Sequence, residues 1–70
     1  MKLLFSQRLK EMRLDKNLTQ KQLGDILKVG TTSVSDWETR GYEPSYQTLI
    51  NLAIYFNVTV GQLVGTEEWI

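Results

Sequence analysis

The sequence predicts an all-α fold, five short helices in one small domain. Apolar residues recur at steps of three and four, and no alternating strand pattern appears. Hydroxyl residues stand just ahead of several of these stripes, twice with a Gln three residues later, which is how helix starts read. The length of 70 residues leaves room for one core only. An apolar fraction of 41% and a charged fraction of 23% are those of an ordinary globular chain. Cys and His are both absent. That removes disulfides, thiolate metal sites and the commonest metal ligand and general base, so no metal, no cofactor and no enzyme activity is expected. Packing alone, or a partner subunit, has to stabilise so small a domain.

In the first segment, Phe5, Leu9 and Met12 share one helical face, with Leu3 or Leu4 ahead of them, while Arg8, Lys10, Glu11 and Asp15 fall mostly on the other. Asn17 suits a left-handed terminator, after which Leu18 packs back. Thr19 and Gln22 form a capping box that opens the second helix, whose stripe is Leu23, Ile26 and Leu27. Gly24 beside that stripe marks a close approach by another helix. Lys28-Val29-Gly30 is a tight turn. The third helix runs from Thr31 to about Thr39, with Val34 and Trp37 inward and a short, hydroxyl-rich outer face of poor helix propensity. Gly41 and Pro44 mark a loop. Ser45 caps a fourth helix carrying Leu49, Leu52, Ala53 and Phe56, with Tyr46, Ile50 and Ile54 beside them. Asn57 ends it. Thr59 and Gln62 box a short fifth helix through Leu63 and Val64, which Gly65 ends.

The formal net charge is zero, but it is unevenly spread. Residues 1–40 hold all eight basic residues and a net +3; residues 41–70 hold only Glu43, Glu67 and Glu68, a net −3. An anionic partner on the first half fits this asymmetry, as does a solvated first helix with an acidic tail. The start, with only Leu3, Leu4 and Phe5 apolar in a row, is too short for a secretory signal, and no window approaches a membrane span. A cytoplasmic location and no membrane partner are expected.

Two helices joined by a three-residue turn, the second of them polar, make a helix-turn-helix candidate. Counting from Gln20, apolar residues fall at the fourth, eighth, tenth, fifteenth and eighteenth places (Leu23, Leu27, Val29, Val34, Trp37), with Gly24 at the fifth. On these positions, and on the stretches RLKEMRLDKNLTQKQLGDIL, VSDWE and EPSYQTLINLAIYFNVTVGQLVG, the chain resembles the phage-repressor and Cro-type helix-turn-helix DNA-binding family, the xenobiotic-response-element-like regulators. The resemblance covers about residues 5–65. It implies a compact five-helix lambda-repressor-like domain over 1–65, with 66–70 a short tail. It further implies a sequence-specific regulator of transcription, acting as a repressor and usually as a dimer on a double-stranded operator. Three features depart from the family pattern. Lys28 stands where Gly is usual in the turn, Gly30 stands where Ser or Thr usually caps, and the third helix lacks Arg, Lys, Gln and Asn, the best readers of base edges.

The resemblance places the third helix in the major groove, with Thr31, Thr32, Ser35 and Asp36 facing bases. Threonine can pack its methyl on thymine and bond through its hydroxyl; Asp36 can accept from a cytosine amino group, or repel phosphate if it lies off-centre. Ser33 is left without a role. Backbone contacts are expected from Gln20 at the start of the second helix, with Lys21, Lys28, Arg40 and Tyr42 adding charge or hydrogen bonds. Arg13 and Glu38 match a structural ion pair. Leu63, Val64, Trp69 and Ile70 are candidates for a dimer contact or for folding back on the monomer core. The alternative to DNA binding is a protein-interaction module, such as an antirepressor, antitoxin or adaptor. An acidic face made by Asp25, Asp36 and Glu43 would favour it.

Overall fold

The computed structural model describes residues 4–68. Five helices follow in order: α1 Phe5–Asp15, α2 Gln20–Leu27, α3 Thr31–Thr39, α4 Tyr46–Phe56 and α5 Val60–Val64. No strand occurs among the described residues, and no helix there is long and apolar enough to cross a membrane. Each helix sends apolar residues to one shared core. Phe5, Leu9 and Met12 come from α1, Leu23 from α2, Val34 and Trp37 from α3, Leu52, Ala53 and Phe56 from α4, and Leu63 from α5.

One connector recurs. The residues Asn17, Lys28 and Asn57 all take left-handed φ values between 57° and 59°. Each is followed by an apolar residue whose N–H reaches back five residues: Leu18 to the Arg13 carbonyl, Val29 to Gly24 and Val58 to Ala53, at 2.8–3.1 Å. This pattern satisfies carbonyls that the helix end leaves open and folds the apolar side chain onto the core. The third residue then caps the next helix: Thr19, Gly30 and Thr59. Both threonines make complete capping boxes, with Gln22 and Gln62 answering them. Ser45 accepts from the Thr48 N–H at the start of α4.

Three expectations need correction, on Ile26, Gly24 and Leu63. Ile26 is 42% exposed rather than part of the buried stripe. Leu23 occupies the centre of the α2 contact, Leu27 its flank, and Ile26 falls beyond the edge, at a shallow groove beside Ile54 and Tyr55. Tyr46 and Ile54 lie off the α4 stripe and are each 72% exposed. Gly24 makes room not for another helix but for the turn itself: a Cβ there would stand 2.9 Å from the Val29 carbonyl oxygen. Leu63 is fully enclosed by the monomer, so it belongs to the core and offers no dimer surface. Val64 is half-buried, and its carbonyl accepts from the Leu4 N–H. Trp69 and Ile70 lie outside the described residues.

Candidate nucleic-acid interface

The unit formed by α2, the turn and α3 is held from behind by one carboxylate. Glu38, on the inner side of α3, has a side chain only 1% exposed. Arg13 of α1 grips it with two donors, Nε to Oε2 at 2.7 Å and Nη2 to Oε1 at 2.9 Å. The remaining terminal nitrogen of Arg13 donates to the Leu18 carbonyl at 2.7 Å. Gln20, the first residue of α2, also donates to Glu38 Oε1, at 3.2 Å. The expected Arg13–Glu38 pair is therefore present, and it ties the end of α1, the start of α2 and the last turn of α3 together. The hydrogen bond to Glu38 raises the Arg13 pKa above the usual arginine value; burial pulls it back, and the Glu38 charge adds to the rise. A base whose pKa rises on folding contributes stability at every pH below its unfolded value, so on the arginine side the pair holds throughout the neutral range. Ser6 adds a second tie by donating to the Trp37 carbonyl.

With its inner side fixed, α3 presents a polar outer side. Thr31 and Thr32 are exposed in its first turn, and Ser35 and Asp36 are half-exposed in the next. Lys21, Lys28, Arg40 and Tyr42 are all exposed, on α2, on the turn and beyond the end of α3. Gln20 is half-buried, its amide already engaged by Glu38.

The charges are arranged in pairs. Lys21 lies 3.2 Å from Asp25, and Arg40 Nε lies 3.4 Å from Asp36 Oδ1, both one helical turn apart. Lys28 has no such partner among the described residues. Asp25 and Asp36 thus offset two cations rather than making the face acidic, and Glu43 is exposed in the following loop.

Residues 9–63 match the family model described as Helix-turn-helix. The chain belongs to the helix-turn-helix family. It is 40% identical over 67 residues to the HTH-type transcriptional activator BcrR of Enterococcus faecalis, spanning 94% of this chain and 32% of that protein. Its fold matches a transcriptional regulator from Listeria innocua with a TM-score of 0.89 at 26% identity, covering 100% of this chain and 65% of that one. It also matches the P22 c2 repressor, solved in complex with synthetic operator 9T, with a TM-score of 0.82 over 90% of this chain and 96% of that one. At 22% identity the latter likeness is one of fold. The chain spans about a third of BcrR's length.

Two departures from the helix-turn-helix pattern have visible costs. Lys28 adopts φ 59° and ψ 42°, a left-handed conformation that a side chain makes unfavourable by about 1–2 kcal/mol. Gly30 caps α3 without any side-chain hydrogen bond. One outer residue escaped the sequence reading. Thr39 is exposed seven residues after Thr32, hence on the same face, and donates to the Ser35 carbonyl at 2.7 Å. Its spacing was the available signal. The Gln20–Glu38 bond had none, because it depends on the angle between α2 and α3.

Proposed function

We propose that this chain is a sequence-specific double-stranded DNA-binding regulator of transcription, with α3 inserted in the major groove. The observation that carries the reading is the division of α3. Its inner side is locked to α1 and α2 through Glu38, while Thr31, Thr32, Ser35 and Asp36 are left outward on a helix of poor intrinsic propensity. Hydroxyls and a carboxylate suit base edges. Gln20, Lys21, Lys28 and Tyr42 surround them as contacts to the DNA backbone, and Arg40 lies beside Asp36. Membership of the helix-turn-helix family, the activator BcrR among the relatives and the operator complex of the P22 c2 repressor all support this reading. We read the regulation as repression, for which occupying the site suffices, and the chain as a binding module with no catalytic role. It works where the DNA is, in the cytoplasm of a bacterial cell.

One module of this size buries only about 600–1,000 Å² against DNA. A homodimer on a pseudo-palindromic site supplies the rest. The test is a titration of purified protein against duplex DNA at two salt concentrations, beside a Thr31→Ala, Thr32→Ala double variant. The parent binds, and its affinity falls as salt rises by roughly 0.9 log unit per log unit of salt for each phosphate contacted. The double variant keeps this salt dependence and loses preference among sequences. Equal sequence preference in the two proteins refutes the base-reading role. No binding of any duplex by the parent favours the protein-interaction module, which the self-compensated charges of this face also suit.

A further inference from the structure

Asp36 is the one acid on the base-facing side of α3. It stands four residues after Thr32, one turn deeper along the same face. Its side chain is 30% exposed, and Oδ1 lies 3.4 Å from Arg40 Nε, whose own side chain is 66% exposed. At that distance Arg40 is a charge neighbour rather than a hydrogen-bond partner. Among the described residues, no hydrogen bond is made by Oδ2.

A carboxylate carried into the major groove meets mostly acceptors. Guanine shows N7 and O6, thymine O4, and adenine sets N7 next to its amino group; cytosine alone shows a donor with no acceptor on its own edge. Ionised Asp accepts and never donates. Of the four bases, cytosine therefore receives it best, and adenine's amino group is the nearest competitor. Phosphates repel it, but there Arg40 opposes the repulsion. Its cation lies 3.4 Å from the carboxylate, so Asp36 offsets part of the charge that Arg40 would bring to a phosphate.

We propose that Asp36 is the specificity-determining residue of α3. Its carboxylate accepts from the N4 amino group of one cytosine in each half-site, and Arg40 is its counter-ion and positioning residue rather than an independent phosphate contact. This rests on the DNA-binding reading above. The second pair, Lys21 with Asp25 on α2, is the internal control. Its side chains are 76% and 68% exposed, and it lies on α2 rather than on α3. Asp25 weakens binding to all sequences alike.

The test begins with selection by the parent protein from a randomised duplex library. Affinities are then measured by fluorescence anisotropy on the selected duplex and on duplexes with each base pair changed in turn, C·G to T·A and A·T to G·C. For the parent, one C·G position per half-site costs about tenfold when changed. Asp36→Ala removes that penalty to within about twofold. It also binds random duplex more tightly, with a salt slope steeper by roughly 0.9 because Arg40 is released to a phosphate. Asp25→Ala binds all duplexes more tightly and keeps the cytosine penalty. Circular dichroism melting confirms that both variants fold. The proposal is overturned if Asp36→Ala keeps the parent's preference at every position, or if the position it frees is an A·T pair. A parent that selects no sequence at all refutes the DNA-binding reading itself, and this inference with it.

Discussion

Glu38 and Asp36 stand two residues apart on α3, and each faces an arginine, but their surroundings differ completely. Glu38 is enclosed, with three donors from Arg13 and Gln20 on its two oxygens. Asp36 sits on the outside with Arg40 at 3.4 Å. An enclosed carboxylate depends on its partners, because removing one leaves a charge without water or protein to satisfy it. An outer one is solvated either way, so its pair adds little to folding. The same chemistry thus works as architecture on one side of the helix and is left available for recognition on the other.

Four substitutions test that division. The largest effect belongs to Glu38→Ala, which strands Arg13 and releases Gln20; it costs about 3–5 kcal/mol in urea unfolding. A loss below about 1 kcal/mol, the size of an exposed pair, would place Glu38 with Asp36 and end the contrast. Gly24→Ala comes next. The new methyl meets the Val29 carbonyl oxygen at 2.9 Å, backbone that yields only by moving the turn. Overpacking of about 1–3 kcal/mol exceeds the gain of up to about 1 kcal/mol from alanine's helix propensity, so the midpoint falls. If it rises instead, the turn is not closely packed on α2. Lys28→Gly works in the opposite direction. It relieves the left-handed strain and raises stability by up to about 1 kcal/mol, visible as a higher melting temperature, while removing the unpaired cation of the turn and flattening the salt dependence of DNA binding. The smallest change is Asp36→Ala, within about 0.5 kcal/mol of the parent; a larger loss in calorimetry would mean that the outer pair also supports the fold.

What could be read from the residues depended on how local the cause was. Asn17-Leu18-Thr19 and Asn57-Val58-Thr59 carry their own instructions: a residue tolerant of positive φ, an apolar residue that turns inward, and a cap with Gln three places later. Both connectors form as those residues dictate. Lys28-Val29-Gly30 takes the same path with a poorer residue at each end, and only the surrounding apolar spacing and the family resemblance point to it. Ile26 falls outside the core because a stripe does not state its own width; how far α2 is covered depends on how α3 and α4 lie. The Asp36–Arg40 and Lys21–Asp25 pairs have a legible spacing of four, yet spacing does not tell how far each carboxylate is exposed. The Gln20 contact with Glu38 joins residues far apart in sequence and exists only once the helices have met.

That contact has a mechanical meaning. Gln20 opens α2, where a DNA backbone would be touched, and Glu38 closes α3, whose outer face would read bases. Because one buried carboxylate holds both, the gap between anchor and reader is a fixed gauge. A half-site whose groove is too wide or too narrow for that gauge has to deform itself, at an energy that depends on the stiffness of its own base steps. Base pairs that no side chain touches would then be selected by how easily they bend.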